Sequence, residues 1–226
     1  MPRASTPRPP LSRQRVIEAA VAVADERGVT AVSMRKVAER LGVEAMSLYH
    51  HVANKDAILD GIVDAVFDEI ELPEPGLDWR TAMRRRATSA RDALSRHSWA
   101  LGLIESRRNT GPATLRHHDA VIGSLRAAGF SIADAVHAVS VIDSYVYGFA
   151  LQEQQLPFET PEQLENAASE LVRRMPPDAY PHLRQVAVEH TVGSGYTYAD
   201  EFAFGLELIL GGLERLLVRA EPPGQR

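Results

Sequence analysis

The stretch SMRKVAERLGVEAMSLYHHVANK, at residues 33–55, predicts two short helices joined by a tight turn. Ser33 is placed to cap the first helix, because its hydroxyl can accept a backbone N–H of the opening turn. Gly42 lies where the chain must reverse, and glycine takes a positive φ there without a penalty from a Cβ atom. The spacing Ala38-x3-Gly42-x5-Leu48 is that of a helix-turn-helix, in which the alanine allows close approach and the leucine packs between the helices.

The side chains that this packing leaves exposed indicate a surface that reads DNA. The second helix, roughly residues 44–51, is predicted to present small, apolar and aromatic tips with little charge. Arg35, Lys36 and Lys55 lie around it. A short helix that fits a major groove, surrounded by cations that can meet phosphates, is typical of a DNA reader.

This region also resembles the DNA-binding signature of the tetracycline-repressor (TetR) family, close to the tetracycline-repressor subgroup itself. The matching residues are Leu41-Gly-Val-Glu44, Leu48-Tyr49, His51-Val52 and Asn54-Lys55. The resemblance covers about residues 16–64, and a weaker match lies at 204–214. It implies an all-α fold, with an N-terminal three-helix helix-turn-helix DNA-binding domain and a TetR-like C-terminal helical domain for ligand binding and dimerisation.

The predicted DNA contacts divide into base-reading and phosphate-binding residues. Arg35 is the candidate for bidentate readout of guanine, a role that the matching family position carries. Residues 45–47 match base-reading positions of the family but differ from the tetracycline repressor's own residues there, so its operator is not carried over. Tyr49, His51 and Lys55 match phosphate-contacting positions. The predicted DNA-binding set is Ser33, Met34, Arg35, Lys36, Ala45, Met46, Ser47, Tyr49, His50, His51 and Lys55.

The net charge of −5 alone argues against a nucleic-acid binder, but the charge is unevenly distributed. Residues 1–60 hold 9 Lys and Arg against 7 Asp and Glu, whereas residues 61–226 hold 16 against 23. The candidate DNA-reading part is therefore mildly basic. The absence of cysteine excludes disulfides and thiolate metal sites. We find neither a signal peptide nor an apolar run of roughly 18 residues, and we expect a cytoplasmic protein with no membrane partner.

Composition and periodicity predict four segments and about nine or ten helices. Residues 1–11 form a basic, proline-rich arm that is disordered by composition, either a cationic contact to DNA or a frayed terminus. The helix-turn-helix domain is expected at 12–53 and a linker helix at 54–71. The stretch Leu72-Pro-Glu-Pro-Gly76 is too rich in proline to be helical, which marks a boundary. The ligand-binding and dimerisation domain is expected at 77–220.

The resemblance places three helices of the C-terminal domain around a ligand. Their mostly apolar residues with a few polar anchors suit a ligand pocket, although core packing explains each residue equally well. The pocket candidates are Trp99, Leu103, Ile104, Arg107, His118, Ile122, Asp143, Tyr145 and Phe149. Gln152 stands where the drug-binding repressor has an acid, so tetracycline is not the expected effector. No histidine pattern matches a metal motif, and we predict no cofactor, metal site or catalytic residue.

Two helices of the C-terminal half are apolar on more than one face, which indicates either a central position in the fold or a subunit interface. The resemblance favours the interface, because two C-terminal helices of each TetR subunit build a four-helix bundle, and Gly205 would allow close approach. The predicted homodimer contacts are Ile132, Val136, Val139, Phe202, Leu206, Ile209, Leu210, Leu213 and Leu217. The alternative is the core of a monomer.

These features predict a ligand-responsive transcriptional repressor that a small molecule releases from a palindromic double-stranded DNA operator. The rival interpretations are an enzyme and a helical dimer that binds small molecules without binding DNA. We find no G-x-S-x-G, no G-x-G-x-x-G, no Walker loop and no metalloprotease motif, so we expect no enzyme.

Overall fold

The computed structural model describes residues 10–107, 110–158, 160–176, 179–192 and 196–220, with side chains as far as 217 in the last range. The predicted all-α class is confirmed: these residues form eleven α-helices and no strand, slightly more helices than the nine or ten expected. The helices are α1 Arg13–Arg27, α2 Met34–Leu41, α3 Ala45–Leu48, α4 Lys55–Asp68, α5 Trp79–Arg96, α6 Ala100–Ile104, α7 Pro112–Ala127, α8 Ile132–Gln154, α9 Pro161–Arg174, α10 Pro181–Val186 and α11 Tyr198–Ala220.

By its internal contacts the chain divides into two compact units, residues 1–139 and 140–226, and the division falls within α8. The predicted domain limits at 53 and 77 remain predictions. The predicted arm at 1–11 lies outside the described residues except for its last two. In the described part of the chain, no helix is both long enough and apolar enough to cross a membrane.

The first unit is built around α1 and α4, which pack against each other, and α1 also packs against α2 of the helix-turn-helix. Val16 and Ala20 of α1 and Ile58 and Ile62 of α4 are fully buried, as is Leu48 from α3. Burying each large aliphatic side chain contributes about 1.5–3 kcal/mol. This shared core fixes the base of the helix-turn-helix.

The linker helix is shorter than predicted, because α4 ends at Asp68 and not at residue 71. The N–H groups of Glu69 and Ile70 each bond to a carbonyl three residues back, at 3.2 and 3.3 Å, which tightens the last turn. The N–H of Glu71 donates instead to the Ser89 hydroxyl of α5, at 2.9 Å. The Ser89 hydroxyl thus accepts the N–H of Glu71, which would otherwise have continued the hydrogen bonding of α4.

In the second unit, α8 and α11 pack through aromatic rings. Tyr145 stacks on Phe202 with ring centroids 5.5 Å apart, and Phe149 stacks on Tyr198 at 4.8 Å. The Tyr145 hydroxyl donates to the carbonyls of Glu201 and Phe202. A Cβ atom at Gly205 would collide with the Tyr145 ring, so this glycine makes room within one chain.

These contacts bear on the predicted dimer interface, which remains a prediction. Four of its residues are buried within the single chain and have almost no area to offer a second subunit: Phe202, Leu206, Leu210 and Leu213. The residues of α11 that point outward are Phe204 and Leu208, each 64% exposed. On α8 the predicted Ile132 and Val136 are exposed. Val139, Ile209 and Leu217 are partly exposed.

Candidate DNA interface and effector region

The reversal between α2 and α3 has the geometry that the sequence predicts. Gly42 adopts φ 67° and ψ 38°, the left-handed conformation. Its N–H donates to the Glu39 carbonyl at 3.2 Å, and the Val43 N–H donates to the Ala38 carbonyl at 3.1 Å. This pair of bonds forms a Schellman motif, which satisfies carbonyls at the end of α2. Ala38 and Leu48 are buried at the crossing of the two helices, as the helix-turn-helix spacing requires.

The predicted recognition helix is shorter than residues 44–51, since α3 is a single turn at Ala45–Leu48. Residues 49–51 continue it as hydrogen-bonded turn. Met46 is 72% exposed, and Tyr49 and His50 are also exposed. Ala45, Ser47 and His51 are partly exposed. The face that sequence analysis assigns to DNA is thus turned to solvent.

The candidate base-reading cation is held by an acid of its own helix. Arg35 is 86% exposed along its side chain, and its Nε donates to Glu39 Oε1 at 2.9 Å. Lys36 Nζ donates to the other oxygen of the same carboxylate at 2.8 Å. Hydrogen bonds from Lys36 and Arg35 lower the pKa of Glu39. Sequence analysis missed Glu39, although its three- and four-residue spacing from the two cations is a usable signal.

The remaining predicted DNA contacts lie at helix starts. The Ser33 hydroxyl accepts the Lys36 N–H at 3.2 Å and so caps α2, with Met34 partly exposed beside it. Asn54 caps α4 through the Ala57 N–H at 2.8 Å, which places the exposed Lys55 at the first position of that helix. Both helix starts lie close in sequence to the outward face of α3.

The predicted pocket residues fall into two groups. Six lie in the first unit, where Trp99 and Arg107 use their polar groups to hold other helices. Trp99 Nε1 donates to Asp25 of α1 at 2.6 Å. Arg107 donates to Asp60 at 2.6 Å and to Asp56 at 3.0 Å, both on α4. Hydrogen bonds to Asp60 and Asp56 raise the pKa of Arg107. Leu103, Ile104, His118 and Ile122 are partly exposed.

The other three pocket candidates, Asp143, Tyr145 and Phe149, belong to the second unit. Tyr145 and Phe149 contribute to the aromatic packing of α8 on α11, and Phe149 is buried. Asp143 is partly exposed. Gln152, whose identity argued against tetracycline, accepts a hydrogen bond from the Tyr198 hydroxyl at 2.9 Å. A pocket shared by all nine residues remains a prediction.

A buried polar pair between α5 and α7 was not predicted. Arg86 and His117 are both essentially fully buried, and Arg86 Nε and Nη2 lie 3.1 and 2.9 Å from His117 Nε2. Burial, followed by the charge of Arg86 and the neighbouring His118, lowers the pKa of His117 to about 3. Arginine only donates, so Nε2 is the acceptor and the proton of neutral His117 is on Nδ1. That Nδ1 has no hydrogen-bond partner among the described residues.

Further polar contacts join α4 to α7. Gly111 precedes α7 and has no side chain to cap it. Asp64 of α4 takes that role, since its Oδ1 accepts the Thr114 N–H at 2.9 Å and the Thr114 hydroxyl at 3.0 Å. Arg116 pairs with Asp68 at 2.7 Å. An open groove of about 560 Å³ lies beside these contacts, between α1, α4 and α7, and none of the nine predicted pocket residues lines it.

An all-α chain that presents the second helix of a helix-turn-helix to solvent, and joins it to further helices through α4, defines the class of helix-turn-helix DNA-binding regulators. The chain belongs to the TetR family. Residues 16–62 match the bacterial regulatory proteins of the tetR family, and residues 72–217 match the tetracyclin repressor-like C-terminal domain. It is therefore a TetR-family transcriptional regulator, as its sequence predicted.

Similar proteins are regulators too. An HTH-type transcriptional regulator of Saccharopolyspora erythraea is 41% identical over 145 residues, which span 64% of this chain and 61% of that protein. The HTH-type transcriptional repressor DrrR1 of Streptomyces coeruleorubidus is 34% identical over 223 residues, 94% of this chain and 81% of that one. The structure of apo ActR from Streptomyces coelicolor has a TM-score of 0.76 and 27% identity, covering 95% of this chain and all of ActR. ActR has also been solved in complex with actinorhodin.

Proposed function

We propose that two copies of this chain form a repressor that inserts one α3 each into successive major grooves of a palindromic operator. The observation that carries the proposal is the outward face of α3, on which Met46 and Tyr49 are exposed, between the cations of α2 and α4 in the sequence. One turn of helix reaches few bases, so a two-fold dimer is needed to read both half-sites, about one helical turn apart.

Each reading head is the helix-turn-helix of residues 33–55. The roles of its residues follow from side-chain chemistry. Arg35 reads guanine through its fork of donors, and Ala45 and Met46 suit thymine methyl groups. Lys55 and Tyr49 bind phosphates and position the head without reading sequence. Because Glu39 bonds to Nε of Arg35 in the free protein, readout of guanine through Nε requires that Arg35 exchange this carboxylate for the base.

The proposed subunit interface uses α8 and α11. Ile132 and Val136 on α8 and Phe204 and Leu208 on α11 are large apolar residues at least half exposed in the single chain. On each helix the two residues are one turn apart and form an exposed apolar patch, which is typical of an interaction site. A homodimer would bury these residues and pair the two reading heads.

Effector binding would reach the reading head through α4. Asp56 and Asp60 of this helix bind Arg107, and Asp64 caps α7. Movement of α6 or α7 therefore shifts α4, whose first residues follow α3 directly. A small molecule releases the operator only if it binds the released state more tightly than the DNA-bound state.

The buried pair Arg86 and His117 supports an effector with an oxygen acceptor. The unpartnered N–H on Nδ1 of His117 costs roughly 1–3 kcal/mol when it is left unsatisfied. A carbonyl or phenolate oxygen that accepts this hydrogen would recover that energy. The ActR complex with actinorhodin shows that a structural relative binds a small molecule.

Selection of duplexes from random DNA by the purified protein tests the function. We expect an enriched palindrome with half-sites about one helical turn apart, bound with strong salt dependence.

A small-molecule screen for operator release, repeated with His117→Phe, tests the effector site, since a genuine effector should lose potency on the variant. If no duplex is enriched over bulk DNA, the proposal fails and the alternative is a helical dimer that binds small molecules without DNA.

A further inference from the structure

The methionines of the described chain differ widely in their exposure to solvent. Met83 on α5 is fully buried, and Met175, which follows α9, is 8% exposed. Met34 at the start of α2 is partly exposed, and Met46 on α3 is 72% exposed. Met1 lies outside the described residues. The two accessible thioethers of the described chain therefore both belong to the predicted DNA-binding set.

The rest of the sequence offers an oxidant few competing targets. The chain has no cysteine, so it has no thiol that would react before a thioether. Its two tryptophans, Trp79 and Trp99, are both buried. Among the described residues, no other large apolar side chain is as exposed as Met46. The sulfur atom that an oxidant in solvent reaches most easily therefore lies on the predicted recognition helix.

The position of Met46 on α3 explains why it stays exposed in the free protein. Leu48, two residues further along, is fully buried and holds the helix on the core. Successive residues of a helix are about 100° apart, so Met46 lies on nearly the opposite side from Leu48. No packing within the described chain covers the thioether, and an apolar base edge such as a thymine methyl group would cover it.

We propose that the Met46 thioether is a modification site, at which a peroxide forms a methionine sulfoxide that weakens reading of the operator. The effect on the operator rests on the proposed function. In the reaction a sulfur lone pair attacks one peroxide oxygen, so that an S–O bond forms and the O–O bond breaks. The departing hydroxide takes the proton of the transferred oxygen and becomes water. The sulfur is oxidised by two electrons, and the peroxide is reduced.

The sulfoxide changes specific binding more than non-specific binding. Oxidation converts a flexible apolar side chain into a polar one, whose new oxygen accepts hydrogen bonds. A thymine methyl group has no hydrogen bond to donate, so the sulfoxide loses water at the contact and gains no partner. The phosphate contacts proposed for Tyr49 and Lys55 do not involve the sulfur. Binding to unrelated DNA, which depends on phosphates, should therefore persist.

Mass spectrometry of the full-length protein after treatment with hydrogen peroxide tests the site itself. Cleavage after lysine and arginine places Met34, Met46 and Met175 in separate peptides, at residues 28–35, 41–55 and 175–184. We expect the sulfoxide to form fastest at Met46, more slowly at Met34 and slowest at the buried Met175. Oxidation of Met175 at the same rate as Met46 would overturn the assignment.

DNA binding before and after oxidation tests the consequence, with each protein compared with its own untreated sample. Oxidised wild type should bind the selected duplex about tenfold more weakly, because each half-site loses one apolar contact, and unrelated DNA almost unchanged. Met175→Leu is the matched control and should lose affinity as the wild type does, whereas Met46→Leu should lose almost none. An equal loss in Met46→Leu, or an equal loss on unrelated DNA, would contradict the proposal.

Reversal of the effect distinguishes this modification from general damage. Treatment with methionine sulfoxide reductases for both sulfoxide epimers should restore the affinity of the oxidised wild type, and failure to restore it would contradict the proposal. The selected duplex, when bound, should slow oxidation of Met46 and leave that of Met175 unchanged. If no duplex is selected at all, the proposed function fails, and the mass spectra still decide whether Met46 is the site of oxidation.

Discussion

At the scale of single residues, Arg35 and Glu39 show how the reading head is arranged before it meets DNA. The arginine that we assign to guanine is exposed but bonded to an acid one helical turn away, and Lys36 shares that acid. Exposed ion pairs are worth about 0–1 kcal/mol, so DNA can displace Glu39 at modest cost. The Glu39 carboxylate also reduces the positive charge that the phosphates of non-specific DNA would meet.

Arg35→Ala and Lys55→Ala should affect DNA binding differently. Loss of a bidentate guanine contact costs about 1–3 kcal/mol of discrimination, so Arg35→Ala should relax the sequence preference at one position of each half-site. Lys55→Ala should weaken all duplexes alike and reduce the salt slope by about 1. Titrations with matched and mismatched duplexes at several salt concentrations measure both effects. Equal losses on every sequence for both variants would refute this division of roles.

Glu39→Gln should strengthen binding to DNA. Because the variant frees Arg35 and Lys36 and removes a negative charge near the phosphates, we expect a few-fold higher affinity for specific and non-specific duplexes. Glu162→Gln in α9 makes the same change in net charge far along the chain and serves as the control. Fluorescence anisotropy on both duplexes is the measurement, and an affinity of Glu39→Gln equal to that of the control would contradict the role of Glu39.

Much of the reading head could be predicted from sequence because its signals are local. Ser33, Gly42 and Leu48 act through neighbours within a few residues, so their roles follow from spacing. The partners of His97, Trp99 and Arg107 lie 28 to 74 residues away in the chain, on α1, on α4 and just after the end of α4. Spacing carries no information about such contacts, and the buried pair of Arg86 and His117 was missed for the same reason.

At the scale of elements, α4 follows the helix-turn-helix in the chain and packs on α1, α6 and α7. It packs on α1 with its apolar face and presents a row of acids to other helices. Of these, Asp64 has the most specific role, because it caps a helix that has no capping side chain of its own. Its loss therefore affects α7 and α4 together.

Asp64→Ala should destabilise the protein by about 0.5–2 kcal/mol, the usual cost of losing a helix cap. Asp68→Ala is the matched control on the same helix, since it removes only an exposed ion pair with Arg116, worth about 0–1 kcal/mol. Thermal unfolding of both variants provides the comparison. The capping role would be wrong if Asp68→Ala lost as much stability as Asp64→Ala.

The burial of some predicted dimer contacts within one chain also belongs to this scale. In α11, apolar residues occupy more than one face, and periodicity cannot tell which face packs within the chain. The Phe202–Leu213 stripe packs inside the second unit, where Gly205 accommodates Tyr145. Only the packed structure distinguishes this stripe from the outward Phe204 and Leu208.

At the scale of the whole molecule, reading both halves of a palindrome requires two chains. Phe204→Glu with Leu208→Glu should place charges in the proposed interface and convert the dimer to monomer, with loss of operator binding. Leu115→Glu, at an exposed leucine of α7, is the control and should remain dimeric. Light scattering coupled to size-exclusion chromatography measures the mass. A double variant that stays dimeric would exclude α11 from the interface.

The most direct test of the central claim is the affinity of the wild-type protein for its selected palindrome, compared with the same duplex carrying one scrambled half-site. If paired α3 helices read both halves, scrambling one should remove most of the specific affinity, leaving binding close to that for unrelated DNA, typically 10³-fold or more weaker. Equal affinity for the two duplexes would contradict the account.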